Sequence, residues 1–412
     1  MERELTVTNN RFTDLIPPLH HTREPLTVQS FLHYLLPPIL CYYVTAVLVL
    51  LPETLHIRLA VLPLTLWMTF RGATRVDTIV MFNNDRLIYW NQGLVLILMV
   101  MGMRAIAWSF QRKPFRRVTV TTSQVEATQT PSSIIQLAID AFELILNLRG
   151  CGWNWSKGLK LPPETRPTSS TAAFTLSIFI SLILYTVIFD VFHYSVQWFS
   201  PLTLGSAKGG TIFDLSIPFA QRYLRSSTIT FLSGLTIYGA LQVAYHVCTL
   251  LGVLVFRQHI LLWPPMFKDP WFATSLTEFW AECWHQLFRD NFVSLGGKPM
   301  AKLFGRVGGV LGSFLISGVM HHFALWGMDN GSDFLNVAGF FVMMGVGIIM
   351  EHTLRRFTGR RVGGFFGWIW TVIWVIGWGH MLVEAYATHG LIGSAFFPRS
   401  LRPAFHIFGP LP

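Results

Sequence analysis

The run SSTITFLSGLTIYGALQVAYHVCTLLGVLVF, residues 226–256, holds 31 residues without one Asp, Glu, Lys or Arg. About 20 apolar residues in a helix span roughly 30 Å of hydrocarbon, so this run is long enough to cross a bilayer. Four others stand near it: 167–189 with 23 such residues, 307–328 with 22, 334–350 with 17 and 362–383 with 22. Before residue 160 the runs are 32–52 with 21, 87–103 with 17, and 59–70 with only 12. The last is expected to span weakly or to lie partly in the interface. None has the short alternation of a lipid-facing barrel strand, and only helices and closed barrels satisfy their backbone within lipid. The expectation is an all-α, polytopic membrane protein with about eight transmembrane helices.

Composition agrees. Hydrophobic residues make up 52%, charged residues 13%, and the mean hydropathy is +0.46. Soluble domains carry roughly a quarter charged residues, so lipid must be part of the solvent. No polar linker divides the chain. The organisation expected is an amino-terminal tail (1–30), one membrane domain (31–390) with a cytosolic segment (257–306), and a carboxy-terminal tail (391–412). Residues 1–30 show no hydrophobic run ending in a cleavage motif, so the first span would direct the chain to the endoplasmic reticulum membrane. The excess of 31 Lys and Arg over 21 Asp and Glu sits largely beside apolar runs. That is the signature of cytosolic loops rather than of a nucleic-acid partner. Cys41, Cys151, Cys248 and Cys283 are scattered, with no CxxC pair, and read as small core residues.

Arg112, Lys113, Arg116 and Arg117 form one basic cluster, and Arg355, Arg356, Arg360 and Arg361 another. Four spans lie between them, so both face the cytosol. Arg71, Arg75 and Arg86 then fall on the far side. Residues 134–148 alternate apolar residues with Asp140 and Glu143, as an interfacial amphipathic helix does. Residues 119–131 read as polar turn material and 149–163 as a tightly folded loop. The Asn154-Trp155-Ser156 sequon would be cytosolic and unused.

Two stretches carry chemistry. In the cytosolic segment, Ser275 can cap a helix and Glu278 can complete a capping box. A continuous helix from there puts Glu278, Glu282, His285 and Arg289 on one face and Trp280, Trp284, Leu287, Phe288 and Asn291 on another. It would lie on the membrane surface with its tryptophans in the interface. The second stretch is Gly318-Val319-Met320-His321-His322, where His321 lies 14 residues past Val307, about 20 Å along a helix. Ionisable groups at that depth are costly and face a cavity or a partner. Ser317 and Gly318 thin the helix beside it and would leave room for substrate. The residues alone leave three readings: a catalytic or ligand-contacting histidine, a packed histidine bonded to a carbonyl, or a metal ligand. His246 and His380 lie on other spans, and there is no HExxH, so no metal is called for. There is likewise no GxSxG elbow, Walker loop or GxGxxG. Asp190 and Glu384 read as boundary charges.

The run Ala273-Thr274-Ser275-Leu276-Thr277-Glu278-Phe279-Trp280, followed by Trp284-His285, resembles a segment of the wax synthase-like membrane O-acyltransferases. Phe314-Leu315-Ile316-Ser317-Gly318-Val319-Met320-His321 is similar to the same family's intramembrane segment, which ends in its invariant histidine. His321 follows His285 by 36 residues, in matching order. Plant members commonly place Glu after that histidine, where this chain has His322. The motifs cover mainly 263–325. Arg149-Gly150-Cys151-Gly152-Trp153-Asn154-Trp155 resembles a segment of the fungal branch, which acetylates hydroxyl groups of secondary metabolites.

The resemblance implies a fold like that of the membrane-bound O-acyltransferases and direct transfer of an acetyl group from acetyl-CoA to a lipophilic terpenoid or meroterpenoid alcohol. Acetyl-CoA would be a co-substrate, with no bound cofactor. His321 would be the general base and His285 or Asn291 the oxyanion donor. Lys268, Arg289 and Lys298 would line the cytosolic approach of the CoA phosphates. The alternatives are a long-chain acyl-CoA:alcohol acyltransferase of wax-ester type and a membrane transporter.

Overall fold

A computed structural model describes residues 23–120, 125–127, 131, 133–156 and 158–411. Among them, seven helices are long and apolar enough to cross a membrane. In chain order these are α1 (Val28–Leu50), α3 (Asp85–Ser109), α5 (Thr171–Trp198), α6 (Phe219–Val255), α7 (Arg289–Trp326), α8 (Phe334–Thr358) and α9 (Gly364–Thr388). An eighth long helix, α2 (Leu55–Arg75), runs antiparallel between α1 and α3. The chain is thus an all-α polytopic membrane protein. The short run 59–70 had suggested a weak span, because Arg58, Arg71 and Arg75 bound it. The helix instead continues through all three and reaches about 31 Å. Arg58 is buried and donates to the carbonyls of Trp108 and Gln111, closing the end of α3. Arg71 lies 5.1 Å from the Tyr34 ring.

The helix α4 (Ile134–Leu146) is amphipathic as read. Ile134, Ile135, Ile139 and Phe142 are exposed, while Asp140 and Glu143 pair with Arg117. Residues 119–131 fall largely outside the described residues, although Val118–Val120 pairs antiparallel with Val125–Ala127. The loop 149–163 is tightly folded. Gly150 has φ 71°, and a Cβ there would meet the Trp155 ring at 2.7 Å, so a side chain is excluded on both counts. Four spanning helices, α5 to α8, separate the basic clusters at 112–117 and 355–361, which puts both on one face of the bundle.

On the opposite face, residues 391–408 are packed rather than trailing. Asp190, read from sequence as a boundary charge, is fully buried on α5. It accepts from Arg402 Nε at 2.7 Å and from the Ala404 amide at 2.9 Å. Glu384 accepts from the Ile212 amide at 2.8 Å. The Ile392 carbonyl takes both His193 Nε2 and Gln197 Nε2, and Phe396 lies 4.4 Å from the Tyr89 ring.

Candidate active site

The segment between α6 and α7 does not form the continuous helix that its spacing suggests. Ser275 does cap, accepting from the Glu278 amide at 3.0 Å. The Glu278 carboxylate, however, takes the Thr274 amide and hydroxyl instead of closing the box on Ser275. One α-turn (Leu276–Glu278) then widens into a π-turn (Phe279–Cys283), and Trp284 is extended at ψ 155°. Helix resumes only at Arg289–Phe292. The break is stable because Gln286 Nε2 donates to the freed carbonyls of Trp280 and Trp284. Its consequence is that Trp280, Trp284 and His285 turn inward to line a cavity. The tryptophans are cavity walls, not interfacial anchors: Trp280 meets Phe314, Phe340 and Phe341, and Trp284 meets Phe267 and Phe279.

Two buried charges hold this irregular piece. Glu351 on α8 accepts the amides of Leu276 at 2.6 Å and Thr277 at 3.0 Å, the Thr277 hydroxyl, and Trp370 Nε1. It is a carboxylate at a helix start, taking donors the helix cannot satisfy itself. Arg149 donates to the carbonyls of Pro264 and Pro265 and to the Tyr245 hydroxyl. Neither role was legible in sequence, because the partners lie 75 and 115 residues away.

The cavity measures about 1010 Å³ and is walled mainly by aromatic and aliphatic side chains. α7 enters it after a break at Phe304 and Gly305 (φ 63°), just before Val307. His321 lines the cavity and His322 does not. The His322 ring packs instead edge-on to Phe334, 5.1 Å away. His321 Nδ1 lies 2.8 Å from the Ser317 carbonyl. A carbonyl only accepts, so Nδ1 carries the proton of the neutral ring and Nε2 keeps its lone pair. The ring stacks on Phe341 at 4.5 Å. Gly318 does not make room for substrate, contrary to the reading above. A Cβ there would meet Ala338 Cα at 2.7 Å, so the glycine lets α7 and α8 cross closely.

His285 shares the cavity with His321. Burial, reinforced by the charge of Arg149, pushes its pKa down to about 3, so the ring is neutral. Its Nδ1 and the donor-only Nε1 of Trp280 are both buried without a hydrogen-bond partner. Asn291 is buried but is not among the lining residues, which include its neighbours Arg289 and Phe292. Of the three cations singled out, Arg289 lines the cavity. Lys268 pairs with Glu282 at 3.3 Å, a carboxylate also held by Lys160. Lys298 is exposed and 3.5 Å from the Ser294 hydroxyl. Among the described residues, no three His, Cys, Asp or Glu side chains gather to hold a metal, and the four cysteines are unpaired.

Residues 263–343 match the family described as membrane bound O-acyl transferase. The resemblance read from 273–285 and 314–321 is therefore borne out over the site itself. The acetyltransferase aurG of Calcarisporium arbuscula is 27% identical over 165 residues, 37% of this chain and 40% of that protein. The O-Mevalon transferase yanI of Aspergillus niger is 24% identical over 261 residues, 58% of this chain and 57% of its own. A long-chain-alcohol O-fatty-acyltransferase of Simmondsia chinensis is 27% identical over 106 residues, 24% of this chain and 30% of that protein. The chain thus spans about half the length, or less, of these relatives.

Proposed function

With residues 263–343 a membrane bound O-acyl transferase segment, we propose that the protein is an O-acetyltransferase that moves the acetyl group of acetyl-CoA to a hydroxyl of a lipophilic secondary metabolite. The observation carrying this reading is His321: a neutral imidazole with Nδ1 committed to Ser317 and Nε2 free, on the wall of a large apolar cavity. Nε2 takes the proton of the acceptor hydroxyl as its oxygen attacks the thioester carbonyl. The tetrahedral oxyanion is met by N–H donors, for which His285 and Trp280 stand unpaired in the same cavity. Collapse expels the CoA thiolate, which recovers the proton from His321, giving ester and free CoA. A thioester is already activated, so no acyl-enzyme is required, and Ser317 and Cys283 are not nucleophiles. Asn291, buried beside the lining residues, is the alternative oxyanion donor. CoA approaches from the cytosolic face past Arg289, with Lys268 and Lys298 on the rim. The protein resides in the endoplasmic reticulum membrane.

A second reading, long-chain acyl transfer of wax-ester type, is favoured by the fatty-acyltransferase among the relatives. Microsomes given a terpene alcohol with acetyl-CoA or palmitoyl-CoA separate the two. Faster ester formation from acetyl-CoA is expected, and preference for palmitoyl-CoA overturns the acetyl assignment.

A further inference from the structure

His321, His285 and Trp280 are not the only polar groups in the cavity. Thr230 and Ser233 lie three residues apart on α6, on one face of the helix, and both line the cavity. They are 6% and 7% exposed, and neither hydroxyl has a hydrogen-bond partner. This departs from their own helix. Thr228, Thr236 and Thr249 donate to the carbonyls of Leu224, Leu232 and Tyr245, the bond open to any helical threonine. Thr230 forgoes it while its methyl, not its hydroxyl, fills the notch at Gly379, where a Cβ would come within 2.9 Å. Two buried hydroxyls left unpaired one turn apart are costly unless something in the cavity pairs with them.

We propose that Thr230 and Ser233 form an oxygen-binding subsite for the acceptor, taking a second hydroxyl or carbonyl carried away from the hydroxyl that is acylated. The proposal rests on the acyl-transfer reading and narrows its substrate class. A straight-chain alcohol has one oxygen, which is used at His321, and leaves both hydroxyls unpaired. A rigid ring system bearing two oxygens meets both places and loses little freedom in doing so. The cavity volume of about 1010 Å³ is of the size that encloses such a molecule.

The test uses the full chain in detergent, with 5α-androstan-3β-ol and 3β-hydroxy-5α-androstan-17-one as acceptors of equal bulk carrying one and two oxygens. The protein is expected to favour the hydroxy-ketone by about tenfold in kcat/KM, and T230V/S233A to bring that ratio to about one. No preference in the parent protein, or a preference that survives in T230V/S233A, overturns the subsite. Without ligand, T230V/S233A is expected to melt no lower than the parent, because it removes unpaired polar groups. A lower melting temperature means that the hydroxyls support the fold and likewise overturns the proposal. If no alcohol is acylated, the transfer reading fails separately, and thermal shift then decides the subsite. Greater stabilisation by the hydroxy-ketone, lost in T230V/S233A, supports it, and equal or absent stabilisation by the two steroids overturns it.

Discussion

The cavity contains two kinds of histidine. On α5, His193 Nε2 donates to the Ile392 carbonyl at 2.7 Å, beside the Asp190 carboxylate whose two oxygens are both bonded. On α7, His321 commits one nitrogen to Ser317 and leaves the other open to the cavity. His285 and Trp280 carry buried nitrogens with no partner at all. Both regions are polar groups enclosed among apolar side chains, and both are held by a buried carboxylate, Asp190 in one and Glu351 in the other. The difference is in what stays unpaired on the cavity wall: Arg402 Nη2 in the first region also lacks a partner, but Arg402 does not line the cavity, whereas His285 and Trp280 do. A buried polar group that has its partners fixes the fold, whereas one left unpaired on the wall of a cavity is open to a ligand there.

That contrast predicts opposite consequences for the two histidines. His321→Ala should lower turnover by about 10²-fold or more, the scale for losing a positioned general base, with protein abundance unchanged. His193→Ala should instead lower the melting temperature and spare most of the rate of the folded fraction. Initial rates normalised to folded protein measure both, and near-normal turnover in His321→Ala makes that histidine structural. Asp190→Ala leaves Arg402 buried without its carboxylate and should cost about 3–5 kcal/mol of stability, read by thermal or denaturant melts. A melt like that of the parent would mean that 391–408 is not anchored by this pair.

Glu351→Ala removes the acceptor for two amides and should cost about 1.5–3 kcal/mol at the Leu276 turn, seen as lost kcat. Glu351→Gln, which keeps an acceptor, should recover part of it. Equal rates in both variants would dismiss Glu351 as the support of the histidine segment. The smallest effects belong to the rim. Arg289→Ala should raise KM for acetyl-CoA severalfold, while Lys268→Ala changes it by about twofold or less, since Lys268 is half-exposed and paired with Glu282. The reverse order would move the CoA path away from Arg289.

The spans were legible because lipid imposes a length and a lack of charge that no soluble helix needs. α2 was legible only in part: its charge-free run stops at Arg58 and Arg71, while the helix continues through both, with Arg58 received by the carbonyls of Trp108 and Gln111. His321 was legible from its depth and from the family motif, which already set it apart from His322, but the Ser317 carbonyl that fixes its tautomer and the Phe341 ring it stacks on were not. The helical face drawn through Glu278, Glu282, His285 and Arg289 was not, since a π-turn changes which side chains share a direction. Glu351 and Asp190 were beyond reach, because their partners are 75 and 212 residues away in the chain.

The account is tested most directly by a structure of the protein with acceptor alcohol and a non-reactive acetyl-CoA analogue bound. It predicts the acceptor oxygen within about 2.6–3.2 Å of His321 Nε2, with the thioester carbonyl directed at Trp280 and His285. An acceptor oxygen seated on His193, on His322, or out of reach of His321 would contradict it.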